Sequence, residues 1–198
     1  YLKKTLFLFS IFFILFSSKP SYSAELFQVY TSFEHTLGKN IVNTKALLQI
    51  RSDAPRVISY YTASIPLPSL QVKCTDASGS ELNCTFYHRG SITDVLIDLK
   101  NSVVRPDSPL EIFLHYNTSF EEGAPYSFSS QIADTTTSSV LIRYPKEKGE
   151  PAWTSDPIDN IRINGEYMET MINRPSYKSI SMIFGERVTY SFDITKVF

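Results

Sequence analysis

Apolar and polar residues alternate with a period of two through most of the chain after residue 24, which is typical of β-strands with one buried face. Turn residues such as Gly38-Lys39-Asn40 separate the alternating runs. The pattern predicts strands over Phe27–Leu37, Ile41–Ile50, Val57–Ile65, Leu70–Cys74, Cys84–His88, Ile92–Leu99, Leu110–Tyr116, Val140–Tyr144, Ser179–Phe184 and Val188–Ile194. Many short strands with frequent turns favour an all-β fold, an antiparallel β-sandwich of one or two packed sheets.

The run NIRINGEYMETMI has two interpretations. Asn164-Gly165 is typical of a type I′ hairpin, because both residues tolerate positive φ. The competing prediction is a short helix over Glu166–Ile172, since Tyr167, Met168, Met171 and Ile172 have helical spacing.

Residues 1–23 have the pattern of a signal peptide. Lys3 and Lys4 precede an apolar run over Leu6–Phe16, which is too short for the roughly 20 residues that span a bilayer. Small residues at the end of this segment predict cleavage between Ser23 and Ala24, and an uncleaved anchor is the alternative. The sequence therefore predicts export to the cell surface or the extracellular space, with residues 24–198 as the β-sandwich region.

Composition narrows the class of protein. A chain of 198 residues with 42% hydrophobic and 14% aromatic residues suits one domain or two small ones and excludes a disordered chain. Cleavage after Ser23 removes three of the 19 basic residues and leaves a net charge of −4. This balance argues against nucleic-acid binding, and no second apolar run is long enough to span a membrane.

Cys74 and Cys84 flank the segment TDASGSELN and are the only cysteines. In an exported protein, two cysteines facing each other across a hairpin predict a disulfide, worth about 3 kcal/mol for a ring of this size. The alternative is a reactive Cys84–His88 dyad, with both side chains on one face of a strand.

No motif nominates a catalytic residue, a metal site or a cofactor. His35, His88 and His115 lie on separate predicted strands and lack metal-ligand spacing. The segment Asp76–Glu81 lacks the alternating acidic residues of a calcium loop, so a turn is expected there. Asn83 and Asn117 each begin a glycosylation sequon.

The two ends predict a piece of a longer protein. Residue 1 is Tyr rather than Met, and the chain stops directly after an alternating run, at Val197-Phe198. A short secreted protein whose last strand completes the sheet is the alternative.

Three segments resemble parts of a known family. Val140–Lys146 leads into Gly149–Pro157, and Ile183-Phe184-Gly185-Glu186 follows about 25 residues later. Together with Tyr60–Ser64, these runs resemble the β-rich N-terminal region of exported bacterial transglutaminase-like proteins. The cysteine pair and Glu186-Arg187 depart from the family's pattern. The resemblance implies that the Cys-His-Asp catalytic set belongs to a downstream domain, so no catalytic residue is expected here.

Three functions remain open from the sequence. The leading hypothesis is a non-catalytic extracellular module at the front of a transglutaminase-like surface or secreted protein. The second is a stand-alone binding module for glycan or protein, which an exposed aromatic face would favour. The third is an exported hydrolase that uses His88 or His115 with a nearby Asp or Ser, which requires these side chains to converge in one pocket.

Overall fold

A computed structural model describes residues 26–66, 69–120 and 125–185. The predicted signal peptide, its cleavage site at Ser23 and Ala24, and the predicted strand Val188–Ile194 lie outside the described residues. The strands are β1 Gln28–Leu37, β2 Ile41–Arg51, β3 Arg56–Pro66, β4 Ser69–Asp76, β5 Cys84–Arg89, β6 Ile92–Val104, β7 Leu110–Ser119, β8 Tyr126–Ser129, β9 Thr136–Pro145, β10 Trp153–Thr154, β11 Asn160–Asn164, β12 Tyr167–Asn173 and β13 Ser179–Ile183. A single 3₁₀ turn, Lys146–Lys148, follows β9 in the described chain.

The strands form three sheets and confirm the all-β prediction. The main sheet has seven strands in the order β11-β12-β9-β1-β2-β7-β4. The second sheet has the order β3-β6-β5, and the third has the order β10-β13-β8. Among the described residues, no helix has the length and apolar character needed to cross a membrane.

The prediction of antiparallel pairing is wrong for one pair of strands. β1 runs parallel to β9, with Glu34 opposite Leu141, although the other strand pairs are antiparallel. A parallel pair needs a long connection between its strands. Here the intervening chain is long enough to build the second sheet and β7 before returning to β1.

The alternating pattern places one face of the main sheet in the core. Phe33, Leu48 and Leu114 are at most 3% exposed. Each belongs to a series of buried residues that occur at every second position of its strand. The second sheet contributes Val95 and Ile97 to the same apolar cluster, and the third contributes Phe128, Ile180 and Met182. The main sheet therefore forms one layer of a sandwich, and its second face points away from this core.

The hairpin interpretation of NIRINGEYMETMI is confirmed, and the alternative helix over Glu166–Ile172 is wrong. β11 and β12 pair antiparallel, with Asn164 opposite Tyr167. The turn residues are therefore Gly165 and Glu166, one position later than predicted. Only Gly165 has a positive φ, 63°, which fits a turn with Gly at its first central position. Pairing of β12 with β9 decides against the helix.

The Cys74–Cys84 disulfide is present, as predicted. The two cysteines do not lie across one hairpin, because Cys74 belongs to β4 of the main sheet and Cys84 to β5 of the second sheet. A tight turn closed by the Gly79 N–H to Asp76 O bond, 3.0 Å, redirects the chain between them. The disulfide therefore ties two sheets together.

Candidate binding face

The outward face of the main sheet, called the open face below, carries most of the charged side chains that the sheet brings together. Its residues alternate with the core residues of the same strands. They include Glu34 and Thr36 of β1, Asn43 and Lys45 of β2, Lys73 of β4, His115 and Asn117 of β7, Arg143 of β9, Arg162 of β11, and Glu169 of β12. Cross-strand register, rather than sequence proximity, makes neighbours of these residues.

One half of the open face is a chain of ion pairs centred on Glu169. The Glu169 carboxylate accepts hydrogen bonds from Arg143 Nε at 2.7 Å, Arg162 Nε at 2.5 Å and Asn164 Nδ2 at 2.9 Å. Arg143 also pairs with Glu34. Glu169 is only 1% exposed. Its hydrogen bonds nevertheless lower its pKa to about 2, with the largest effect from Asn164 and further effects from the two arginines. The group is a satisfied network that holds β1, β9, β12 and β11 in register.

The other half of the open face is a pocket of about 380 Å³ whose lining includes two lysines, one glutamate (Glu34), one histidine and neutral polar residues. We call it the cationic pocket and define it by Asn43, Lys45, Gln71, Lys73, His115 and Asn117. In the register of the sheet, His115 is flanked by Lys45 on β2 and by Lys73 on β4. Asn43 is paired with Asn117 on the same face.

His35 lies on the opposite, buried face of the main sheet. Its Nε2 donates to the Ser129 carbonyl at 2.7 Å, so its Nδ1 accepts from the Thr44 hydroxyl at 2.9 Å. The ring stacks on Phe33 and is 0% exposed. Burial lowers the pKa of His35 to about 4, against the opposing effect of the Ser129 carbonyl. A neutral, fully buried imidazole in this position is a structural part of the core.

The three histidines are not brought together. His88 is in the second sheet, where its Nδ1 lies 3.0 Å from the Thr93 hydroxyl. His115 is in the main sheet, with Nε2 3.5 Å from the Thr75 hydroxyl. Among the described residues, each of these two rings is placed beside a threonine hydroxyl and neither hydrogen-bonds an Asp or a Ser, as the hydrolase hypothesis requires. Cys84 is bonded to Cys74 rather than poised as a nucleophile. Within the same residues, no group of three acidic, His or Cys side chains is placed to hold a metal ion.

Among the described residues, exposed aromatic side chains are found on several sheets. Phe86 and Tyr87 are exposed on β5, but consecutive strand residues point to opposite faces. Tyr60 is exposed on β3, and Trp153 on β10 of the third sheet. The polar open face is the more continuous surface.

The two sequons differ in their surroundings. Asn83 precedes β5, and its carbonyl accepts a hydrogen bond from the Asp98 N–H at 2.9 Å. Asn117 lies in β7, and its side-chain amide donates to Gln71 Oε1 at 2.9 Å. A glycan on Asn117 would therefore occupy the cationic pocket, whereas one on Asn83 would not.

Sequence reasoning missed both charged clusters of the open face. Arg143 and Glu169 are far apart in the chain, as are Lys45, Lys73 and His115. The signal in the sequence was a charged residue at a polar position of several predicted strands. This pattern indicates that a strand has a polar face, but it does not indicate which strands are neighbours.

Replacing Glu169 by Gln is expected to lower the free energy of unfolding by about 2 kcal/mol at pH 7. The substitution keeps the size of the side chain and leaves Arg143 and Arg162 without their shared carboxylate. The penalty stays below the full value for a buried pair because both arginines are partly exposed, 31% and 62%. Urea denaturation of both proteins measures the difference.

Glu166→Gln is the matched control, because the Lys146–Glu166 pair is exposed and should contribute under about 0.5 kcal/mol. The contribution of Glu169 to the free energy of unfolding is fully present at pH values above the ordinary carboxyl pKa. It is lost as the pH falls through about 2. Equal effects of the two substitutions at pH 7 would show that the Glu169 network adds no stability.

Comparison with known proteins gives a likeness in fold only. No family model matches the chain, and no curated protein matches it in sequence. Leukotriene A4 hydrolase from Saccharomyces cerevisiae has a TM-score of 0.51 and 11% identity, covering 86% of this chain and 32% of the hydrolase. An M1 zinc metallopeptidase from Deinococcus radiodurans has a TM-score of 0.48 and 12% identity, covering 82% of this chain and 43% of the peptidase.

The chain thus spans less than half the length of these solved structures. The match to the yeast hydrolase is a likeness in fold over about a third of that chain. An identity this low establishes a shared fold and assigns no residue a role.

Proposed function

We propose that the chain is a non-catalytic β-rich module of an exported protein, and that it precedes and positions a catalytic domain in a longer polypeptide. The observation that carries this proposal is the match of 86% of the chain to only 32% of yeast leukotriene A4 hydrolase. A fold found as one part of a larger enzyme supports the same use here. The disulfide supports the exported location, because such bonds persist in oxidising compartments.

The nature of the downstream domain rests on the turn motifs. Val140–Lys146, Gly149–Pro157 and Ile183–Glu186 resemble transglutaminase-like proteins, whereas a solved structure of similar fold is leukotriene A4 hydrolase from yeast. Because one fold serves many functions, we give the turn motifs more weight and propose a transglutaminase-like domain. A metallopeptidase domain is the competing outcome.

The codons after Phe198 provide the first test. We expect an open reading frame that encodes a cysteine at the start of a helix, followed by a histidine and an aspartate. An HExxH helix would replace the transglutaminase assignment by a zinc peptidase and leave the module proposal intact. A stop codon at that point would overturn both.

The third sheet offers a physical test of positioning. Trp153 of β10 is 52% exposed and is paired with Ile183 of β13, from which the chain continues to the downstream residues. Hydroxyl-radical footprinting should therefore find Trp153 protected in the whole protein relative to residues 24–198 alone. Tyr60, 60% exposed on the second sheet, is the internal control. Equal reactivity of Trp153 in both proteins would contradict a contact through the third sheet.

A further inference from the structure

The cationic pocket contains two lysines that form no ion pair within the described part of the chain. Lys45 and Lys73 flank His115 on adjacent strands, and neither lysine forms an ion pair with a residue in the described part of the chain. The Lys45 ammonium lies 4.4 Å from the centre of the Phe113 ring, a contact that leaves its charge uncompensated. Glu34 also lines the pocket and lies opposite Lys45 in the register of β1 and β2, but its carboxylate is paired with Arg143.

An irregular strand places the second lysine in this pocket. Ser69 and Cys74 of β4 are both buried although they are five positions apart, which strict alternation does not allow. A bulge between Leu70 and Lys73 absorbs the extra residue, and Gln71 adopts a φ of 52°. Cys74 can therefore face the core and its disulfide partner while Lys73 stands opposite His115. Bulges that redirect a side chain are common beside binding sites.

Neutral hydrogen-bonding groups complete the pocket. Asn43 is exposed beside Asn117, and the Asn117 amide is held by Gln71 Oε1 at 2.9 Å. His115 is half-buried, and its pKa is lowered first by burial and then by the charges of Lys45 and Lys73. The effect of both ammonium groups on one ring shows that their positive potential converges there.

We propose that the cationic pocket binds one oxyanion group of an external ligand, a carboxylate or a phosphate, between Lys45 and Lys73. Charge-assisted hydrogen bonds from two ammonium groups are the interaction that such a group accepts most strongly. The Asn43 amide supplies a further donor on the same side of the pocket. This inference concerns the open face alone and is independent of any downstream domain.

Nuclear magnetic resonance of the full chain tests the proposal at pH 7. Sodium phosphate and sodium acetate are titrated separately, with sodium chloride replacing them at matched ionic strength. We expect saturable shifts of the His115 ring signals, with a dissociation constant on the order of 1 mM. The ring signals of His35 and His88 should not move, because one ring is buried behind the sheet and the other is in the second sheet.

Lys45→Gln and Lys73→Gln should each weaken binding roughly tenfold, because each removes one charged donor. Lys178→Gln, which removes an exposed lysine between β12 and β13, is the matched control and should bind as the unmodified chain does. Unchanged signals outside the pocket verify that each variant is folded. Tighter binding of phosphate assigns a phosphate ligand, and tighter binding of acetate assigns a carboxylate. Shifts that do not saturate with either anion, or equal weakening by Lys178→Gln, would overturn the site.

Discussion

Reduction of the Cys74–Cys84 disulfide is expected to lower the free energy of unfolding by about 3 kcal/mol. The two cysteines are separated by 10 positions, and opening their ring restores conformational freedom to the unfolded chain. Cys74 is fully buried in the main sheet, whereas Cys84 begins a strand of the second sheet. The bond therefore holds two sheets that otherwise meet through side-chain packing. For a chain of this length, the expected fall in melting temperature is about 10 °C.

Thermal unfolding with and without dithiothreitol measures this effect. The double variant Cys74→Ala/Cys84→Ala is the control, because the reductant has no bond to act on in that protein. Its melting temperature should be low and the same under both conditions. A similar response of the variant and the unmodified chain to dithiothreitol would mean that the disulfide does not carry the stabilisation.

Lowering the pH from about 6.5 to about 4 should reduce the free energy of unfolding by about 3 kcal/mol through His35 alone. The folded chain holds the pKa of this ring at about 4, whereas the unfolded chain has the ordinary value of 6.5. Between these values the unfolded chain binds a proton that the folded chain excludes, so stability falls as the pH falls. Below about pH 4 both states are protonated at this residue and the slope ends.

Urea denaturation across this pH range, compared between the unmodified chain and His35→Gln, isolates the contribution. Glutamine offers an N–H donor toward the Ser129 carbonyl but does not titrate. The groups around the ring are Phe33, Thr44, Phe128 and Ser129, none of which titrates in this range. His88→Gln, on the exposed edge strand β5, should retain the slope. A parallel pH dependence in His35→Gln would refute the assignment.

The individual strands were well predicted because side-chain alternation is a local property. Residues Ile112, Leu114 and Tyr116 share a buried face of β7, as the two-residue period indicated. The strands that were missed are short: β8 covers Tyr126–Ser129 and β10 covers Trp153–Thr154. Neither is long enough to show a period, and each owes its conformation to pairing with β13.

The candidate binding face could not be predicted in the same way. Lys45, Lys73 and His115 meet because β2, β7 and β4 are neighbours. A bulge in β4 also shifts the alternation of its side chains, so that Lys73 lies on the same face as His115. The sequence around Gln71 contains no glycine that would signal a positive φ there. The depressed pKa of His35 was equally hidden, since it depends on burial of the ring against residues distant in the chain, such as Phe128.

The sequence by itself determined the longer strands, the first hairpin, the β11–β12 hairpin and the disulfide, because each depends on residues that are close to one another in the chain. Only the tertiary structure decided the parallel pairing of β1 with β9, the division into three sheets and the charges that share the open face. The physical reason is that the alternation of apolar and polar residues indicates only which side chains of one strand share a face. The choice of neighbouring strand and register comes from packing the whole core.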